Sequence, residues 1–568
     1  MLLLDAGVSY MGEVELSITS HRFTVSKSLC RLGRIGGTIP LSCWIFNLPT
    51  LPRGQPMQEP NSHRTITPDD RMLISLAIVT LLIHFLCNRG YGYFHDEFYA
   101  IACSKHLAWG YVDQPPFSEF VLALSGRVLG YSLFSLRFLP AVCGGLVAFL
   151  MGLIACELGG ARFAQALAAT AFIIGGVYLA IGEYYSMNCF DHLFWALAIY
   201  ILVRILKGGD ARLWVLLGLV AGLGLENKYS MGFFGVGLIV GLALTRAREH
   251  FLGKWLWVGG ALAAVIFLPH VLWEVRNHFP TAEFIQNATL KKNLPMPPWV
   301  FLRECVLLVN PLTLPIWLAG LAYVFFARQG RKFQTLGWIF LAVLVILLST
   351  HSKPYYFAPA FLMLLPAGGV AIEAFFNQHQ WNWPKPAYLT VLVLGGALLA
   401  PMVLAILPVE TFIRYQAMIG IKASSGERGD ASRKLPQIFS GRFGWPEMVA
   451  QMAGIYNNLA PEDKADCVVA ASNYGEAGAI DFLGKQYGLP NAISSHNNYW
   501  YWGPGDKPGK VLLAIGGSKE DYGRFYDDVQ QVATFTNPYA QESGTPIFLC
   551  RKPLHTLQEI WPSIHHFI

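Results

Sequence analysis

Residues 72–99 read M-L-I-S-L-A-I-V-T-L-L-I-H-F-L-C-N-R-G-Y-G-Y-F-H-D-E-F-Y. The first part, to Cys87, holds no Asp, Glu, Lys or Arg, and approaches the ~20 apolar residues that cross a ~30 Å hydrocarbon layer as a helix. Directly after it come tyrosine and phenylalanine rings and the acidic pair Asp96 and Glu97. Aromatic rings suit the boundary between lipid and water. The stretch therefore predicts a membrane helix that delivers two carboxylates to one face of the bilayer.

Apolar runs of this kind recur, and the composition carries them: 54% of the 568 residues are hydrophobic and 14% are charged, where a soluble domain has about 25% charged residues. About eleven spans follow by run length, near residues 72–87, 134–156, 163–181, 192–205, 213–225, 231–244, 255–273, 301–326, 336–348, 356–375 and 388–407. The connections on one side hold Arg162, then Arg204, Lys207 and Arg212, then Arg246, Arg248 and Lys254, then Arg328, Arg331 and Lys332, with scarcely an acid among them. Basic loops stay in the cytoplasm. The longer, mixed-charge connections, 88–133 and 274–300 among them, and the tail beyond Pro408 are then outside.

Three regions result. Residues 1–70 are basic and proline-containing without a spanning run, and are expected to be poorly ordered, either as part of the native protein or as the product of an upstream start codon. Residues 71–409 form a helical membrane domain. Residues 410–568 form a small extracytoplasmic α/β domain, with helices expected near 445–459, 478–487 and 519–528 and strands near 467–471, 510–515 and 547–550. The ten cysteines lie singly, without a C-x-x-C pair or a histidine at ligand spacing, which argues against a zinc site. In the tail, Cys467 and Cys550 are either a disulfide or two buried thiols.

The outside connections hold the candidate chemistry. Asp96 or Glu97 at the interface suits a general base that takes a proton from an attacking hydroxyl; the bland alternative is a solvated acid in an aromatic belt. The second outside connection offers Asn188 and Asp191. Asp191 reads either as a helix cap or as a ligand for an acceptor hydroxyl or a divalent cation; whether a metal takes part is not fixed by the sequence. His95 joins the same set. Lys228 and Lys353, on the side opposite the basic loops, suit a leaving phosphate, with Arg276 as a further clamp; snorkelling to the interface is the competing reading.

Several motifs taken together resemble the bacterial dolichyl-phosphate-mannose protein mannosyltransferase-like family, which includes the aminoarabinose lipid A transferase. They are residues 94–99, A-W-G-Y-V-D-Q-P-P at 108–116, S-M-N-C-F-D-H-L-F-W at 186–195, N-K-Y-S-M at 227–231 and K-P-Y-Y-F-A-P at 353–359. The resemblance implies a C-type glycosyltransferase fold, amphipathic helices in the first outside loop, a polyprenyl-phosphate sugar donor, a lipid, glycan or protein acceptor, and inversion at the anomeric carbon. By motif position Asp96 matches the family's catalytic aspartate, Asp191 the acid of the second loop, and Lys353, Tyr355 and Tyr356 the donor-phosphate region. The expectation is an inverting transferase in the bacterial inner membrane, with membrane lipids and no nucleic acid as partners. The rival is a polytopic transporter or flippase of lipid-linked sugars, since polar groups at membrane depth also mark substrate paths. The absence of a repeated half and the gathering of acids in outside loops favour the enzyme. S-N-Y-G-E-A-G-A at 472–479 reads as a strand-to-helix turn, either structural or anion-binding.

Overall fold

The computed structural model describes residues 67–420 and 434–568, all within one compact unit. The expectation for residues 1–70 lies outside the described residues, apart from 67–70.

Helix α1 (Asp70–Cys87) opens where the Asp69 carboxylate accepts the Met72 amide at 3.1 Å. Two short helices, α2 (His95–Lys105) and α3 (Phe117–Leu129), follow before the long α4 (Leu133–Glu157). On α3 the residues Phe120, Leu124 and Val128 are exposed while Ser118 and Glu119 are buried. An apolar outer face spaced by four residues is the reverse of a soluble helix and suits a helix lying against lipid. Helices α5 (Arg162–Ile173), α6 (Gly176–Ile181), α7 (Met187–Leu206), α8 (Leu213–Leu225), α9 (Ser230–Ala243) and α10 (Lys254–Arg276) continue the bundle. After α11 (Pro280–Asn287) come α12 (Pro298–Val309), α13 (Leu314–Phe326), α14 (Gln334–Ser349), α15 (Ala358–Gln378) and α16 (Pro384–Leu399).

In lipid, helices gain little by hiding apolar side chains from each other and instead pack backbone to backbone through small residues. Gly218 on α8 and Gly259 on α10 show this, since a Cβ on Gly218 would stand 2.1 Å from the Gly259 carbonyl oxygen. Gly320 on α13 meets α15 in the same way, 2.1 Å from the Leu364 carbonyl oxygen.

Among the described residues seven helices are long and apolar enough to cross a membrane, or up to nine if each of two bent pairs is one span. The remaining runs of the sequence reading resolve into the short α8 and a broken segment. Residues 163–181 split into α5 and α6 at Gly175, and residues 301–326 bend by 97° between α12 and α13. Pro311 has no amide to continue the helix, and Asn310 there has φ of 86°. The two breaks meet, with Asn310 Nδ2 donating to the Ile174 carbonyl at 3.1 Å. Unwound backbone at membrane depth survives where protein groups satisfy it.

The tail continues with α17 (Val409–Ile419), α18 (Gln437–Ser440), α19 (Trp445–Asn457), α20 (Pro461–Asp466), α21 (Tyr474–Leu483) and α22 (Asn498–Trp502). Around them lie β1 (Cys467–Ala471), β2 (Ala492–Ile493), β3 (Val511–Ile515), β4 (Tyr526–Thr534) and β5 (Pro546–Pro553). The sheet order is β2-β1-β3-β5-β4, parallel from β2 to β3 and antiparallel from β3 to β4. The helix expected over 519–528 stops at Tyr522, and the edge strand β4 takes over. Asp527, Gln530 and Gln531 are exposed, so the apolar alternation that announces a strand is missing; the partner β5 sets its conformation. Cys467 pairs across from Val511 and Cys550 from Leu512. Neighbouring positions on β3 face opposite sides of the sheet, so the two thiols are separated by it, and both are free.

One face of this sheet and helices α19 and α21 share a core with α2 and the loop after it: Phe98, Tyr99 and Cys103 of α2, with Tyr111 beyond it, pack with Trp445, Met448, Met452 and Ile480. The short helix after the first span is thus held by the tail as well as by the bundle.

Candidate active site

The C-terminal end of α1, the start of α2 and the second turn of α4 are locked by one ion pair. Arg137 donates from Nε to Glu97 Oε1 at 2.9 Å and from Nη2 to Glu97 Oε2 at 2.7 Å, and also to the carbonyls of Asn88 and Gly92. Glu97 accepts the Tyr185 and Phe94 amides at 3.0 and 2.8 Å. Both side chains are fully buried. Successive helical residues point about 100° apart, so with Glu97 fixed inward, Asp96 turns to the open side.

Asp96 there lines a cavity of about 410 Å³, with 39% of its side chain exposed. Its Oδ1 accepts the Tyr474 hydroxyl at 2.9 Å and lies 3.2 Å from His95 Nε2. The polar part of the wall adds Asp113, Tyr184, Lys292, Glu304, Lys353, Tyr355 and Tyr356. The apolar part comes from the two broken segments and the end of α16, through Ile174, Val177, Leu307, Leu308, Leu399 and Val403. Burial pushes Asp113 up to about 6, although Tyr99 donates to it at 3.0 Å. Glu119, deeper in the same wall, is pushed up to about 8 by burial and by Asp113. Burial and the nearby Asp96 carboxylate raise the Tyr184 phenol.

Four sequence-predicted residues therefore meet Asp96 around one space: His95, Lys353, Tyr355 and Tyr356. Others do not. Glu97, read with Asp96 as a base, has its oxygens engaged by Arg137 and backbone amides and is absent from the cavity wall. Arg276 is exposed at the end of α10 and absent from the cavity wall, while Glu274 in the same turn is the residue that points inward. Lys228, Asp191 and Asn188 form a group behind the tyrosines. Lys228 Nζ donates to Asn188 Oδ1 at 2.6 Å, lies 3.7 Å from Asp191 Oδ2, and sits 4.9 Å from the Tyr356 ring centre. Asp191 also accepts the Ser230 hydroxyl. It is not the cap of α7, a place taken by Ser186. Among the described residues no group of three or more His, Cys, Asp or Glu is arranged to hold a metal ion.

Sequence reasoning left out Asp113, Lys292, Glu304 and Tyr474 as site residues. Asp113 lay inside a quoted motif and Lys292 in a noted loop. Nothing near Tyr474 in the chain announces a partner 378 residues away.

The cavity and the basic loops sit at opposite ends of α4, whose 25 residues span about 37 Å at ~1.5 Å each. Arg137 is in the first turns of α4, and Glu157 at its other end pairs with Lys207, near Lys332.

Residues 113–273 match the family model described as dolichyl-phosphate-mannose-protein mannosyltransferase. ArnT from Cupriavidus metallidurans in the apo state aligns with a TM-score of 0.54 at 15% identity, covering 84% of this chain and 97% of ArnT. The chain has the C-type glycosyltransferase fold. The same ArnT bound to undecaprenyl phosphate aligns at 0.53 and 15% identity over 85% of this chain and 98% of ArnT. An uncharacterized protein of Aquifex aeolicus (strain VF5) is 22% identical over 368 residues, 61% of this chain and 70% of its own length. The C-type fold expected from the sequence motifs is thus the fold of the chain, with a small C-terminal sheet.

Proposed function

We propose that this protein moves a sugar from a polyprenyl-phosphate carrier to a hydroxyl of a lipid, glycan or protein acceptor, with inversion at the anomeric carbon. The observation that carries the reading is the single cavity in which a half-exposed carboxylate, Asp96, and two lysines, Lys292 and Lys353, share a wall with an apolar surface built from broken helices. A polyprenyl phosphate needs that combination: cations for its phosphate and an apolar surface for its chain. The match to the mannosyltransferase family model and to ArnT bound to undecaprenyl phosphate supports the same donor class.

In the reaction Asp96 takes the proton from the acceptor hydroxyl as its oxygen bonds to the anomeric carbon. The bond from that carbon to the phosphate oxygen breaks, and polyprenyl phosphate leaves as an anion, so no separate acid is required. Lys353 and Lys292 stabilise the leaving charge, and Tyr355 and Tyr356 line its seat. Lys228 acts through the tyrosine rings and is neutralised by Asp191. Glu97 holds α2 in place. Residues 71–409 are the membrane catalytic domain and 410–568 an outer α/β domain, with the cavity at the periplasmic face of a bacterial inner membrane, opposite the basic loops.

Deleting the gene is expected to make one lipid-linked sugar accumulate in the membrane, identified by mass spectrometry of extracted lipids. The purified protein is then expected to consume that lipid. An unchanged lipid profile together with no consumption refutes the reading. Lys353→Ala is expected to weaken undecaprenyl phosphate binding about 10- to 100-fold, the worth of a charged hydrogen bond of about 1.5–3 kcal/mol. Affinity unchanged in a titration would remove Lys353 from the phosphate seat.

A further inference from the structure

We propose that the C-terminal α/β region completes the active site, with Tyr474 as the residue that positions the Asp96 carboxylate. The inference rests on the reading of Asp96 as the base and adds a role for a part of the chain that reading leaves without one.

The motif S-N-Y-G-E-A-G-A explains how the tyrosine arrives there. Asn473 caps α21 by accepting the Glu476 amide at 3.0 Å, and the Glu476 carboxylate reaches back to the Asn473 amide at 3.3 Å, which fixes Tyr474 as the first helical residue. The two glycines, three residues apart on one helical face, let α21 approach α2 without side chains between them. A Cβ on Gly478 would stand 2.9 Å from the backbone of Phe98, and one on Gly475 would stand 3.0 Å from His95 Cβ. The glycines therefore serve close packing, and the amides of Ser472, Asn473, Tyr474 and Glu476 are bonded within the chain.

The Tyr474 ring is held before substrate arrives. It stacks on Tyr99 at 4.4 Å and 24°, and on His496 at 4.8 Å and 4°. His496 is itself fixed, its Nδ1 accepting the Tyr474 amide at 3.1 Å and its Nε2 lying 3.0 Å from the Ile568 carbonyl oxygen. With ring and backbone both pinned, the hydroxyl donates to Asp96 Oδ1. The His95 contact falls on the same oxygen. Oδ2 is then the oxygen presented to the acceptor hydroxyl, and Oδ1 is tied to α21 through the Tyr474 hydroxyl. Small errors in the aim of a base cost rate without costing donor affinity.

The test uses the full-length protein, the accumulated lipid-linked sugar as donor, and undecaprenyl phosphate as binding probe. Tyr474→Phe keeps both stacking contacts and removes only the hydroxyl. Its kcat is expected to fall by about 10- to 100-fold, with donor KM, undecaprenyl phosphate affinity and thermal midpoint unchanged. Tyr499→Phe is the control, since Tyr499 donates to Asp481 in the same region and away from Asp96; wild-type kcat is expected. Wild-type kcat in Tyr474→Phe, an equal loss in Tyr499→Phe, or a parallel loss of undecaprenyl phosphate affinity overturns the positioning role. The failures are separable: wild-type turnover in Asp96→Asn sinks the underlying reading, whereas inactive Asp96→Asn beside fully active Tyr474→Phe sinks this inference alone.

Discussion

Asp96→Asn is expected to lower sugar transfer by about 10²- to 10⁴-fold, the usual worth of a positioned general base, with undecaprenyl phosphate binding unchanged. The substitution is nearly isosteric, and the amide can still accept the Tyr474 hydroxyl that meets Oδ1 in the wild type. The site should therefore keep its shape and lose only the ability to take a proton. The phosphate seat is built from other elements, Lys353 before α15 and Lys292 after α11, so donor affinity has no reason to follow. Single-turnover transfer from the accumulated lipid-linked sugar, measured beside equilibrium binding, separates the two quantities. Transfer within tenfold of wild type would assign the base elsewhere, and Asp113, which lines the same wall and is held up near 6 by burial, would be the next residue to substitute.

Arg137→Met is expected to destabilise the protein by about 3–5 kcal/mol, because it leaves the buried Glu97 carboxyl without its partner. The guanidinium makes two bonds to that carboxylate and also holds the carbonyls of Asn88 and Gly92. Removing it frees the end of α1 and the start of α2 together, so transfer should fall along with stability. Replacing both partners, Arg137→Met with Glu97→Gln, should cost much less than the sum of the single changes, since no uncompensated charge remains. Thermal unfolding of the detergent-solubilised single and double variants measures this coupling. Additive costs would mean that the clamp contributes little beyond packing.

The contrast between neighbouring Asp96 and Glu97 marks what local sequence does and does not carry. Both acids stand after the first span, and both read as candidate bases. Their division of labour depends on Arg137, 40 residues from Glu97, which claims one carboxylate and turns the other toward the cavity. Lys228 and Lys353 divide similarly: each follows an apolar run, but Asp191 and Asn188 engage Lys228 behind the tyrosine wall while Lys353 reaches the cavity. Arg276 had the right chemistry and faces the wrong way. In the tail, β1 and β3 were legible because they are central and apolar, burying every or nearly every side chain, whereas β4 was not, being an exposed edge whose strand conformation comes from its neighbour.

Run length and an aromatic-acidic stretch after the first span determined a membrane helical bundle with Asp96 just beyond its first long helix, because hydrophobic transfer and helix rise are local properties. The tertiary structure alone decided which apolar runs break, which acid is held by Arg137, and that a tyrosine from the tail closes on Asp96. Those outcomes depend on partners brought close by packing, and no local pattern encodes a partner that lies hundreds of residues away.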